Sequence, residues 1–274
     1  MDSSGIFGVD APVVGMVHLP ALPGAPGYGP ESDRTAIVEA ARRDARRLER
    51  GGIDAILVEN FGDAPFYPED VPAHVVADLT AAVAAVRDVT AVPIGVNVLR
   101  NDAEAALSVA AATGASAIRV NVHTGARVTD QGVIEGRAHE TLRYRDRIDA
   151  GDVAILADVA VKHSAPLGQP RPTTEAVEEL LGRGRADGLV VSGPGTGEPT
   201  DRSHLETVVA TRDEAGADAP VLVGSGVTAE SVADVLAVAD GVIVGTALKT
   251  GGETTNPVSE ERVAELVAAA DRER

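Results

Sequence analysis

Residues 220–247 read PVLVGSGVTAESVADVLAVADGVIVGTA. An apolar run ends in Gly224-Ser225-Gly226, a helix-length segment follows, and a second apolar run ends in Gly245-Thr246. Two short apolar strands joined by a helix form a βαβ unit, whose crossover makes the strands parallel. The same alternation fills the rest of the chain. Strand-like runs lie at 13–18, 55–59, 93–98, 117–121, 153–161, 188–192, 220–223 and 241–244. Helical segments lie at 35–50, 73–89, 103–113, 139–148, 173–184, 203–214, 228–238 and 259–271. Several helices are followed by glycine before the next strand, as at Gly51-Gly52, Gly114 and Gly216, the mark of a left-handed cap. Eight βα units in 274 residues predict an α/β protein with one (β/α)8 (TIM) barrel domain spanning residues 1–274, rather than an open doubly wound sheet.

Composition sets further bounds. Hydrophobic residues make up 44% but aromatic residues only 2%, so Ala and Val must do most of the packing. With 42 acidic and 24 basic residues the net charge is −18, which opposes non-specific binding to nucleic acid or anionic membranes. Of the 24 basic residues only Lys162 and Lys249 are lysines, and this skew together with the acidity is expected of a halophilic protein. There is no cysteine, which removes thiolate catalysis and cysteine metal sites. The first eight residues lack the basic start and apolar run of a secretion signal, and no run of eighteen apolar residues occurs, so a cytoplasmic protein without a transmembrane segment is expected.

In a parallel barrel the chemistry sits at the C-terminal strand ends and the loops after them. These ends carry His18, Glu59 with Asn60, Asn97, Arg119 with Asn121 and His123, Asp158 with Lys162 and His163, Ser192, Gly224-Ser225-Gly226, and Gly245-Thr246. Strand interiors are apolar, so polarity concentrated at the exits points to a site. The period of two places Arg119 and Asn121 on one face, with His123 continuing it, and Asp158 with Lys162 on another. A chain that otherwise uses Arg keeps Lys only just after strands, as chemistry requires when an amine must lose its proton, form an imine or meet a phosphate as a compact cation.

The glycine pair Gly224–Gly226 and Gly245 marks the loops after strands seven and eight, where barrels commonly bind phosphate through backbone N–H groups and a helix N-terminus. We therefore expect Gly224, Ser225, Gly226, Gly245 and Thr246 to hold a phosphate. A third loop, 192–197, with Ser192, Gly193, Gly195 and Thr196, is expected to fold over the ligand, and 124–137 to be a loop covering the mouth. His74, His139 and His204 lie near helix starts and read as surface or capping residues.

The stretches 15–24, 58–63, 119–121, 157–164 and 191–197, with the two glycine loops, resemble the BtpA/SgcQ-like family within the ribulose-phosphate-binding type of barrels. The resemblance spans essentially the whole chain. It implies the barrel and its site, an association with photosystem I biogenesis for some members, and sugar metabolism for others.

The expected function is enzymatic action on a small phosphorylated metabolite, a phosphosugar or nucleotide-related compound, by isomerase, epimerase or lyase chemistry. Asp158 and Lys162 are an acid/base pair, or Lys162 attacks a carbonyl; Glu59 and His18 are further proton-transfer groups. Asn60, Asn97, Arg119, Asn121, His163 and the 192–196 loop orient the substrate. Two alternatives stay open: a metal-assisted hydrolase using His18, Glu59, Asp158 and His163 with a divalent ion, and a non-enzymatic assembly factor. No cofactor is identified, and pairing into a homo-oligomer is compatible with such barrels.

Overall fold

The computed structural model describes every residue except Met1, Asp2, Glu31 and Pro194. Its strands are β1 (Val13–His18), β2 (Ala55–Glu59), β3 (Ile94–Asn97), β4 (Ala117–Val120), β5 (Ala126–Thr129), β6 (Gly132–Glu135), β7 (Ala154–Asp158), β8 (Ala165–Pro166), β9 (Gly188–Val191), β10 (Val221–Val223) and β11 (Gly241–Val244). Eight of them, in the order β1-β11-β10-β9-β7-β4-β3-β2, close a barrel in which every pairing is parallel. The expected barrel is thus present, with each strand near its expected place.

The helices are α1 (Ser3–Phe7), α2 (Arg34–Arg50), α3 (Ala73–Arg87), α4 (Ala103–Thr113), α5 (Ala138–Arg147), α6 (Thr173–Gly182), α7 (Arg202–Glu214), α8 (Val232–Leu236) and α9 (Glu260–Ala270). The period of two divides each strand between two cores. Outward residues such as Val17, Ile56, Val96, Ile118, Ile155, Val191, Val223 and Val244 pack under the helices. Inward residues Val14, Met16, Ala55, Leu57, Ala117, Leu156, Val190, Leu222 and Ile243 fill the barrel, and Ile6 and Phe7 of α1 close its N-terminal end.

Three inward leucines each lie over a glycine of the neighbouring strand. A Cβ added to Gly95 would come within 2.8 Å of Leu57, one on Gly188 within 2.7 Å of Leu156, and one on Gly241 within 2.7 Å of Leu222. Large side chains therefore fill the space their neighbours leave, and the barrel is packed without rings at these layers.

Four local expectations need correction. The fifth barrel strand stops at Asp158 instead of residue 161, because its pairing with β9 ends at Asp158↔Val190. The segment 124–137 is not a plain loop: β5 and β6 form an antiparallel hairpin, and β8 pairs with β5 as a third strand. Inward-turned Ile134 is fully buried against Val122 and Val161, which anchors that sheet to the barrel. The segment after β10 is helical only over five residues, and Gly245 is followed by a three-residue 3-10 turn, Thr246–Leu248, so neither glycine loop opens directly into a long α-helix. Lys249, singled out in the sequence for chemistry that requires a lysine, is 1% exposed and its Nζ donates to Asp44 Oδ2 at 3.0 Å, while Asp44 Oδ1 accepts from the Val258 N–H. It is a buried clip between α2 and the 249–258 segment.

Candidate functional site at the barrel mouth

A hydrogen-bonded belt runs across the C-terminal ends of five strands. Asn97 Nδ2 donates to Asn121 Oδ1 at 3.3 Å, and Asn121 Nδ2 donates to Asp158 Oδ2 at 3.1 Å. Arg119 grips the same carboxylate with two bonds, Nε to Oδ1 at 2.8 Å and Nη2 to Oδ2 at 2.9 Å. Arg119 Nη2 also reaches Ser192 Oγ at 3.4 Å, which in turn donates to the Gly224 carbonyl at 2.6 Å. The belt leads from β3 to the first glycine loop. Asp158 Oδ1 and Oδ2 both accept from Arg119, and Oδ2 also accepts from Asn121, while no hydrogen bond joins Asp158 to Lys162 among the described residues. The guanidinium beside Asp158 is held charged above its ordinary range despite complete burial, which by itself lowers the pKa.

Inside this belt lies a cavity of about 240 Å³. It is lined by Gly224, Ser225, Gly226, Gly245 and Thr246 of the two glycine loops and by His18, Glu59, Arg119, Lys162 and Thr196, with His18 directly beside Gly245, where an added Cβ would come within 2.9 Å of the imidazole. The structure thus brings ten of the expected site residues around one space. Asn97 lies in the belt and Ser192 links it to the glycine loop. Asn60 is used elsewhere: its Oδ1 accepts from the Leu99 N–H and its Nδ2 donates to Asp63, holding the loop after β2. His163 joins two loops through Nε2 to Thr196 Oγ1 at 3.1 Å. His123 points away from the cavity, its Nε2 2.8 Å from the Gly184 carbonyl.

Gly193, Gly195 and Glu198 lie against the first glycine loop, Pro194 of the expected 192–197 loop being outside the described residues. Ser225 Oγ donates to the Gly195 carbonyl at 2.9 Å. Gly226 has φ of +76°, and a Cβ there would come within 2.3 Å of the Glu198 carbonyl oxygen, so its glycine is required by the neighbouring backbone as well as by the turn. Gly193 meets the Glu198 and Pro199 carbonyls in the same way. With α8 short and beginning at Val232, the cradle must rely on loop N–H groups rather than on a helix macrodipole.

Two groups at the cavity stand apart. Neither the Lys162 amine nor the Glu59 carboxylate has a hydrogen-bond partner among the described residues; Glu59 Oε1 lies 4.0 Å from His18 Nε2. Burial lowers the Lys162 pKa, and Arg119 adds to the shift, while Glu59 and Asp158 oppose it. His18 is pushed down to about 3 by burial, helped by Lys249 and Lys162, and is therefore neutral at physiological pH. Its Nδ1 lies 3.4 Å from the Thr254 carbonyl, and as donor there it presents Nε2 as an acceptor. A neutral imidazole is not a resting imidazolium proton donor, so the shift leaves His18 to accept a hydrogen bond or a proton at Nε2.

Two arginines were not found by reading the sequence. Arg100 is buried, donates to the Lys162 carbonyl at 2.7 Å, and feels Asp158 and Glu59. Arg262, near the start of α9, borders the glycine end of the cavity and donates from Nε to the Ala247 carbonyl at 2.6 Å. In a chain rich in arginine nothing local marks either. Around the cavity Arg119, Lys162 and Arg262 outnumber Glu59, a balance suited to an anion. The possible metal ligands are not gathered: among the described residues no group of three or more His, Asp or Glu is placed to hold a metal ion.

Comparison with known proteins agrees with the architecture. The chain is 14% identical to thiamine phosphate pyrophosphorylase from Pyrococcus furiosus, with a TM-score of 0.56 over 95% of this chain and 96% of that one. It is 15% identical to phosphoribosyl anthranilate isomerase from Thermus thermophilus, with a TM-score of 0.55 over 96% and 100%. At these identities the likeness concerns the fold alone. Among sequence relatives, the photosystem I biogenesis protein BtpA of Synechocystis is 45% identical over 98% of this chain and 91% of its own length. A putative sgc region protein, SgcQ, of Escherichia coli is 32% identical over 96% and 95%. The model of the BtpA family matches residues 9–272, the whole barrel and every strand end just described, and the chain belongs to that family.

Proposed function

We propose that this protein is an enzyme acting on a small phosphorylated carbonyl compound of the phosphosugar or nucleotide-related kind, by isomerase, epimerase or lyase chemistry. One observation carries the reading: a single cavity is lined both by the two glycine loops after β10 and β11 and by an unpartnered, largely buried amine. Its volume of about 240 Å³ lies below the ~300–1,000 Å³ of sites for drug-sized ligands, which suits a compact metabolite. Ser225, Gly226, Gly245 and Thr246 hold the phosphate with Arg262 at the rim, Gly224 bordering the space while its own N–H donates to the Val191 carbonyl, and Arg119 orients the body of the substrate. Lys162, with its proton loosened by burial, acts on the carbonyl as base or nucleophile, and Glu59 exchanges protons with it. In the nucleophilic route Nζ bonds to the carbonyl carbon, the π pair moves to oxygen, and with one proton taken up that oxygen leaves as water, giving an iminium ion.

The test is a thermal-shift screen against phosphorylated and unphosphorylated sugars, followed by borohydride reduction and mass analysis of the peptide carrying Lys162. Stabilisation only by phosphorylated compounds is expected, weakened at least about tenfold in Arg262→Glu, a loss of about 1.4 kcal/mol. A reduced adduct on Lys162 would establish the nucleophilic route; turnover without an adduct would leave Lys162 as the base. No stabilisation by any phosphorylated compound would sink the proposal. The second reading, assembly of a membrane complex, draws on the name of the Synechocystis relative, and such an outcome would bring it forward.

A further inference from the structure

A second and larger cavity, about 600 Å³, opens on the other side of the Arg119–Asp158 pair. Asp158 and Asn121 form part of its wall, the β5–β6 hairpin one flank, and the segment 166–171 with α6 the other. The phosphate-type reading does not use this space. Its charges are unequal. Asp158 is engaged by Arg119, and Glu179 by Arg171. Arg127, on β5, has no carboxylate partner among the described residues: its guanidinium donates only to Ser164, from Nε to the hydroxyl and from Nη2 to the carbonyl oxygen at 3.4 Å. Burial is the only influence shifting it, and it lowers the pKa.

A half-buried guanidinium without a counter-charge is unusual in a chain of net charge −18, where acidic side chains are plentiful. The wall mixes apolar Val159, Ala160, Pro166, Leu167 and Leu180 with neutral Thr124, Gln169, Thr173 and His204, and Pro166 is the cross-strand neighbour of Arg127. Leu167 is 55% exposed, a large apolar side chain left at the rim. A planar fork of donors facing apolar walls is the arrangement that recognises a carboxylate carried on an apolar body.

We propose that this cavity is a second ligand site, specific for a small organic carboxylate, with Arg127 pairing the carboxylate and Leu167, Val159 and Leu180 enclosing the apolar part. Because Asp158 and Asn121 belong to this wall and Arg119 to the other cavity, a ligand here lies one ion pair away from the first site, as a second substrate or an effector would.

The experiment is ligand-observed saturation-transfer NMR on the full chain, with benzoate as probe and benzamide as its neutral counterpart. Benzoate is expected to bind in the millimolar range and benzamide at least tenfold more weakly. Arg127→Gln should abolish the preference. Arg262→Glu, which alters only the first cavity, should leave benzoate binding unchanged, so failure of this site and failure of the phosphate site are read separately. Circular dichroism of Arg127→Gln confirms that it is folded, and Arg127→Lys should retain part of the preference. Equal binding of benzoate and benzamide, or benzoate binding undiminished in folded Arg127→Gln, would overturn the proposal.

Discussion

Asp158 Oδ2 accepts from both Arg119 and Asn121, while Oδ1 takes the second bond from Arg119, so Asp158→Asn would leave a fully buried guanidinium without its counter-charge. A loss of about 3–5 kcal/mol is expected in urea denaturation. A loss below 1 kcal/mol would mean that solvent reaches the pair. His18 gives a pH prediction. Its pKa is lowered from 6.5 to about 3 in the folded chain, so the unfolded chain binds the extra proton between those values and stability falls as pH drops through that window. From pH 8 to pH 5 the cost is about 2 kcal/mol, and His18→Asn should remove that part of the acid sensitivity. An unchanged pH slope in the variant would show that His18 is not the group responsible; His123 and His163, also depressed by burial, remain in both proteins. At this scale the sequence was legible in kind but not in role. Rarity singled out both lysines, yet a compact ammonium also serves a buried ion pair, and Lys249 is that case while Lys162 borders the cavity. Asn60 shows a second limit, since a polar strand end can be needed to tie down the next loop.

At the level of elements, the barrel strands could be read because both of their faces are buried, leaving apolar runs with polar ends. The same rule overran at the fifth strand, where Val159, Ala160 and Val161 continue the apolar run after the pairing has ended. The hairpin was missed for the opposite reason. Its alternation is only four residues long on each strand and carries Arg127 and Thr129, so nothing but Ile134 looks buried. Ile134→Ala should cost about 2–5 kcal/mol of local stability, since this side chain pins the small sheet to Val122 and Val161. Hydrogen exchange should rise in 126–135 and 165–166 while the barrel strands keep their protection; uniform deprotection would show that the sheet is not a separate unit. At the opposite end, Phe7→Ala opens a void in the inner core cluster and should lower global stability by about 3–5 kcal/mol. A change confined to the exchange of α1, with the global midpoint unmoved, would refute that role.

For the whole molecule the net charge of −18 is a source of self-repulsion. Raising the ionic strength from 0.01 M to 1 M shortens the screening distance from about 30 Å to about 3 Å. The melting temperature should therefore rise with added potassium chloride, by about 2–4 °C for each kcal/mol of relieved repulsion. A flat or falling melting temperature would mean that paired charges, such as Arg212 with Asp240 and Arg145 with Asp187, already balance the acidic excess. The barrel interior has a consequence for how such a chain can drift over generations. Leu57 over Gly95, Leu156 over Gly188 and Leu222 over Gly241 each divide one volume between two neighbouring strands. Neither member can change alone: enlarging the glycine meets the leucine, and trimming the leucine leaves a hole. Viable changes at these positions should therefore arrive as correlated pairs, a larger residue at the glycine with a smaller one at the leucine, and an alignment of descendants would carry three such couplings, one for each pair of adjoining strands.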